Sequence, residues 1–286
     1  MPTGIVRVIE PQQLHRKSIK KKRRPYVMFL FICLVGIAGY LLVISIKPKK
    51  VEPNSRAVQS SQVSVSQATT TPKNTFKQFT NEEFVSLYSS FAYPNTVDIV
   101  TPPVITNNPE ADIRIRQLAD VRGYRLRSVP IVRPVQINDG FLLQQKASQP
   151  LQDLITAAKA ENLQITITAA FRSIDEQRSL FNARLSVLPA VIATGTADAA
   201  VIETLKTTAP PGYSRHHNGF TIDIACGNVG LYAFLDTPCF KWLSKDNFKI
   251  AKEFGWIPSY PGGINSTGPE PEPWEYVWVG RDALLE

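Results

Sequence analysis

Apolar and polar positions alternate from Phe220 to Ala225, with Phe220, Ile222 and Ile224 on one face and Thr221, Asp223 and Ala225 on the other. That is the period of a half-buried strand, and it points Asp223 away from the apolar face. Helical spacing puts Leu151, Leu154, Ile155 and Ala158 on one side of a helix over residues 149–161, and an alternating strand follows over 163–169. A second helix is predicted from Ile174 to about Leu188, and Trp274, Tyr276 and Trp278 alternate as one buried sheet face. Upstream, residues 81–91 fit a short helix, and residues 122–135 are strand material interrupted by Pro130 and Pro134. Helices and strands in this mixed order predict an α+β domain.

One run breaks the globular pattern. Residues 26–46 are 21 residues without a charge, long enough to cross a hydrocarbon core of about 30 Å at about 1.5 Å per residue. Arg16, Lys17, Lys20, Lys21, Lys22, Arg23 and Arg24 precede it, and the positive-inside rule assigns them to the cytoplasm. Ser45-Ile46-Lys47-Pro48 stands where a cleavage site of small residues would be, so the run reads as an uncleaved signal anchor. The predicted organisation is a basic cytoplasmic tail over 1–25, one transmembrane helix over 26–46, a flexible linker over 47–75 and an extracytoplasmic domain over 76–286. The protein is then a single-pass protein of the cell membrane.

Charge follows the same division. Residues 1–50 hold 11 of the 32 Lys and Arg and one of the 24 acids, which leaves 21 basic and 23 acidic residues for the remainder. The basic character belongs to the anchor, and the domain lacks the basic face of a nucleic-acid binder, so no nucleic-acid partner is expected. Of three cysteines, Cys33 lies in the apolar run, while Cys226 and Cys239 bracket a short loop. In an oxidising compartment that pair favours a disulfide, against the alternative of two buried thiols.

The candidate chemistry sits in Ser214-Arg215-His216-His217-Asn218-Gly219-Phe220-Thr221-Ile222-Asp223, which sets an imidazole and a carboxylate seven residues apart. Gly219 can turn the chain without a Cβ penalty, so His216 can fold back toward Asp223. Both side chains are ordinary zinc ligands, and a catalytic zinc takes three protein ligands and keeps a fourth position open. One ligand is missing from this segment, and Glu272-Pro273-Trp274-Glu275 supplies two further carboxylates. Hydrolysis at a metal is the chemistry these residue types suit.

Over roughly residues 151–280 the chain resembles the VanY-type metallo D-alanyl-D-alanine carboxypeptidases, of the LAS superfamily that also holds lysostaphin-like and hedgehog-like zinc domains. The family segment Ser-x-His-x-x-Gly-x-Ala-x-Asp is kept by Ser214, His216, Gly219 and Asp223, with Thr221 where Ala is usual. Phe171-Arg172-Ser173 followed by Gln177 is similar to its Tyr-Arg-Ser-x-x-x-Gln element. Phe254-Gly255-Trp256 and Ser259-Tyr260-Pro261 are similar to the stretch before the last motif, Glu-Pro-Trp-His, where Glu275 stands in place of the His.

The resemblance implies a small mixed or antiparallel sheet with flanking helices and zinc held by His216, Asp223 and Glu275. It further implies Glu272 as general base, substrate contacts from Arg172, Ser214 and Gln177, and a peptidoglycan stem peptide as the partner that loses a terminal D-alanine. The only histidines are His15, His216 and His217, so no distant histidine can replace the missing one, and His217 is expected beside the site or exposed. Two carboxylates and one imidazole leave a formally neutral zinc site, and a less positive metal activates water less. Weak activity, a shift to higher pH, or none follows from that balance. By themselves, Arg172 could pair only with Asp175 or Glu176, and Glu272 could be plain acidic loop. Three readings stay open: D-alanine removal, cleavage of another stem-peptide bond, and a degenerate domain that binds wall peptides or a partner without cutting.

Overall fold

The structure, a computed structural model, describes residues 75–263 and 268–286. The expected tail and transmembrane helix, nearly all of the expected linker, and Cys33 lie outside the described residues. Among the described residues, no helix is long and apolar enough to cross a membrane.

Local chemistry starts most elements. Thr80 and Glu83 form a reciprocal capping box that opens helix α1 (Asn81–Ser90), which buries Phe84 and Tyr88 one turn apart. Strand β1 (Thr96–Asp98) precedes helix α2 (Pro109–Val121), whose N-cap Asn108 and first-turn Pro109 are both favourable there. Strand β2 (Ser128–Pro130) pairs antiparallel with β1, and β3 (Val135–Gln136) pairs with β4 (Leu142–Leu143).

Helix α3 (Gln145–Ala160) buries Leu151, Leu154, Ile155 and Ala158 as the spacing predicts, but it begins four residues before residue 149. The reason is Pro150, which suits a first turn by sequence and here lies within the helix. Strand β5 (Ile165–Ala169) leads to α4 (Ile174–Arg184), opened by a Ser173–Glu176 capping box. This helix stops short of Leu188: Leu185 is extended, and Pro189 starts the short helix α5 (Pro189–Ala193). Helix α6 (Asp198–Leu205) packs with α2, α5 and α4 around Ile115, Phe181, Ile192 and Val201.

The central sheet adds β6 (Thr221–Cys226), β7 (Trp256–Pro258) and β8 (Glu275–Trp278), with helix α7 (Pro238–Glu253) between β6 and β7. Its order is β5-β6-β8-β7 and every pair is antiparallel, so of the two sheet types expected it is the antiparallel one. Ile222 and Ile224 join Leu151, Leu154, Trp256 and Tyr276 in the larger core, where each large apolar side chain contributes about 1.5–3 kcal/mol by burial. The opposite face of β6 is not solvated as a half-buried strand would have it. Thr221 is fully buried, because the 3-10 turn Arg215–Asn218 folds over it and the Thr221 hydroxyl donates to the Arg215 carbonyl at 3.1 Å.

Candidate metal centre

Ser214 caps the Arg215–Asn218 turn by accepting the His216 N–H at 3.3 Å, and Gly219, at φ +76°, swings the chain into β6. His216 Nδ1 lies 2.8 Å from the Ala170 carbonyl. A carbonyl only accepts, so Nδ1 carries the proton of the neutral ring and Nε2 presents its lone pair. That Nε2 is 3.4 Å from Asp223 Oδ2 and 3.6 Å from Glu275 Oε2. The β6–β8 register sets Asp223 directly opposite Glu275, and one ligand atom from each of the three residues lies within 4.8 Å of the others.

Two carboxylates directly opposite across a strand pair repel each other, and a nitrogen lone pair aimed between them adds to the strain. A divalent cation relieves all three interactions at once. The donor set of one imidazole nitrogen and two carboxylate oxygens is one that zinc accepts, and the Asp223 Oδ1, buried without a hydrogen-bond partner among the described residues, fits it too. The residues present therefore fit a zinc ion.

Glu272 reaches the same cleft by a tight turn in which the Glu275 N–H donates to the Glu272 carbonyl at 2.9 Å. It is not one of the three clustered ligands. Burial holds its carboxyl well above the usual carboxylate range, Glu275 and Asp223 push the same way, and Arg215 and Arg172 oppose.

Arg172 lines the cleft and donates from Nη1 to Gln177 Oε1 at 2.7 Å. Gln177 is buried and passes the contact on, its Nε2 donating to the Ala209 carbonyl at 2.6 Å. Asp175 pairs with Arg178 and Glu176 caps Ser173, so the purely structural pairing available to Arg172 is not formed. Burial lowers the pKa of its guanidinium, and Asp223 opposes the shift. His217 is fully buried, its Nδ1 2.6 Å from the Arg172 carbonyl and its Nε2 accepting the Gly212 N–H at 3.0 Å. It supports the loop beside the site, as one of its two expected placements had it. The cleft encloses about 700 Å³. Trp274 belongs both to the core and to the cleft wall, and Tyr232, 85% exposed, meets it edge-on with ring centroids 5.3 Å apart.

Arg215 is the residue that sequence reasoning passed over. It is buried, pairs with Glu275 Oε1 at 3.2 Å and donates to the Ser259 carbonyl at 3.1 Å. Burial works against its charge, and Tyr260, Tyr88 and Glu275 outweigh burial, so the guanidinium is held above its ordinary range. A signal existed: an acid in place of a neutral ligand asks for a cation nearby. Tyr88 comes from α1, a region to which no chemistry was assigned.

Residues 140–281 match the family model described as VanY, D-alanyl-D-alanine carboxypeptidase. A D-alanyl-D-alanine carboxypeptidase of Enterococcus faecalis is 28% identical over 152 residues, 53% of this chain and 53% of that protein. The chain thus spans about half the length of the curated relatives it matches. Among solved structures, a mutant of the vancomycin resistance D,D-pentapeptidase VanY in complex with Zn(II) is 25% identical at a TM-score of 0.44, covering 58% of this chain and 90% of that one. VanYB in complex with D-alanine-D-alanine is 27% identical at a TM-score of 0.43, covering 53% and 80%. Over residues 140–281, just under half of its length, the chain is thus similar to the VanY-type D-alanyl-D-alanine carboxypeptidase family.

Proposed function

We propose that the protein is a membrane-anchored zinc carboxypeptidase that removes the terminal D-alanine from peptidoglycan stem peptides. The observation that carries this reading is the convergence of His216, Asp223 and Glu275, with Glu272 in the same cleft but outside the ligand cluster. A zinc ion supplies Lewis acidity, which polarises a carbonyl and eases deprotonation of water at neutral pH. Glu272, in the cleft but outside the ligand cluster, takes the proton from the attacking water and gives it to the leaving amine. Arg172, steadied by Gln177, holds negative charge developing on the scissile carbonyl oxygen or carried by the terminal carboxylate. Gln177 serves the substrate through Arg172, since it accepts from that guanidinium and donates to Ala209. Ser214 shapes the cleft as the cap of the His216 turn.

The membrane anchor rests on the charge-free run of residues 26–46 and its basic flank. The Cys226–Cys239 disulfide supports an oxidising, extracytoplasmic setting for the domain. A second reading, a domain that binds wall peptides without cutting, is favoured by Glu275, which stands where the last motif carries a His.

Zinc content and D-alanine release from a pentapeptide stem separate the two. Wild type is expected to hold about one zinc per chain, as a catalytic site of this class does. Glu275→Ala should lose metal and turnover together, whereas Glu272→Ala should lose turnover by at least about 100-fold and keep the metal. Wild type supplied with zinc that neither binds it nor releases D-alanine leaves the binding domain standing.

A further inference from the structure

We propose that Arg215 is the positioning residue that makes Glu275 a one-oxygen metal ligand, an inference that rests on the metal-site reading above. Arg215 and His216 are successive residues of one 3-10 turn, and they address the two oxygens of the same carboxylate. Arg215 Nη1 takes Oε1 at 3.2 Å, and His216 Nε2 faces Oε2 at 3.6 Å. A free carboxylate can rotate or offer both oxygens to a cation; with Oε1 engaged, Oε2 alone is left toward the metal.

The guanidinium is itself held from several sides. Its Nη1 also donates to the Ser259 carbonyl at 3.1 Å, and its carbon lies 4.5 Å from the Tyr88 ring centroid and 4.1 Å from that of Tyr260. The Ser259 N–H in turn donates to the Glu275 carbonyl at 3.1 Å, so cation and ligand are referred to the same strand edge. With side chains only 8% and 3% exposed, neither partner of the pair can swing into solvent.

Arg215 also sets the charge of the site. Asp223 and Glu275 face each other across β6 and β8, and a dication between them would be neutralised. Arg215 cancels one of the two negative charges, so a bound dication keeps a net charge of plus one. Arg215 and Glu275 together act as a single neutral donor. The formally neutral site expected from the ligands alone is therefore not the electrostatic state the fold provides.

Zinc affinity of the purified full-length chain, measured by competition with a chromogenic chelator, tests this. Arg215→Met should weaken zinc binding about 10- to 100-fold, the range for loss of a group that orients a metal ligand. Arg215→Lys, which keeps the charge but not the planar fork, should fall between that variant and wild type. The deciding variant combines Arg215→Met with Glu275→His. It replaces the ion pair by two neutral side chains, and should bind zinc more tightly than either single variant. It also buries no unpaired charge, so it answers the question even where Arg215→Met alone fails to fold. Arg215→Met that binds zinc as tightly as wild type, or a double variant no tighter than the better single one, overturns the proposal alone. Wild type that takes up no zinc overturns the metal-site reading and this proposal together.

Discussion

At the scale of single residues, the site hangs on one backbone conformation. Gly219 lies between His216 and Asp223 at φ +76°, and a Cβ there would come within 3.1 Å of Gln144 Cγ. Gly219→Ala is expected to cost about 1–2 kcal/mol for the left-handed conformation, lowering the melting temperature. It should also weaken zinc binding, because both ligands depend on that turn; an unchanged melting curve with and without zinc would contradict this. Gln177 makes a different prediction. It holds Arg172 without touching the ligand cluster, so Gln177→Leu should lower kcat/KM by about 10- to 100-fold through misplacement of the guanidinium. Zinc stoichiometry should stay at the wild-type value, and a joint loss of metal and activity would remove the distinction.

At the scale of elements, the segment between β6 and α7 joins the metal strand to the cleft rim. Cys226 ends β6 and bonds Cys239 in the first turn of α7, which closes the loop around the 3-10 turn Leu231–Asp236. A cross-link over so short a loop contributes about 3 kcal/mol in the chain-entropy model. Replacing both cysteines by Ala should lower unfolding stability by roughly that amount, and a non-reduced digest of wild type should yield the linked peptides. The loop presents Tyr232 against Trp274 at the cleft mouth. Tyr232→Ala should raise KM for the stem peptide with kcat nearly unchanged, since the ring lies at the rim and not among the reacting groups. A fall in kcat alone would assign the loop another role.

At the scale of the whole molecule, α7 is clasped by the segment around Phe79. Helix α7 breaks at Asp246, Asn247 and Phe248, all with positive φ, and Asn247 compensates by accepting the Phe79 N–H at 3.0 Å and donating to its carbonyl at 2.8 Å. Beside it the buried Lys252 Nζ donates to the Lys77 carbonyl at 2.7 Å and to Asn247 Oδ1 at 2.9 Å. Burial brings this ammonium down to about 8, below its unfolded value of about 10.4. Below the folded value both states are charged and the folded one carries the cost of burial. Between the two values the unfolded chain holds more protons, so stability from this group rises with pH. The melting temperature of wild type should therefore gain on that of Lys252→Met as pH is raised from 7 to 10, and parallel curves would contradict the assignment. Topology is testable on the intact chain: a reporter fused to the C-terminus and active only outside the cytoplasm should work, and cytoplasmic reporter activity would rule out the anchor orientation.

His216, Gly219 and Asp223 were legible from the sequence because they lie within one short stretch, where turn chemistry and strand alternation act over a few residues. The same holds for the core stripe of α3, although the helix begins four residues before the spacing places it. Family resemblance could pair Glu275 with that stretch, but nothing local says which residue neutralises it. Only the pairing of β6 with β8 sets Glu275 opposite Asp223, and only the packing of α1 and the 259–260 segment around the Arg215–Asn218 turn supplies Arg215 as its partner. Those contacts join residues far apart in the chain, and their energies come from burial and charge at close range, which hydrophobic periodicity does not encode.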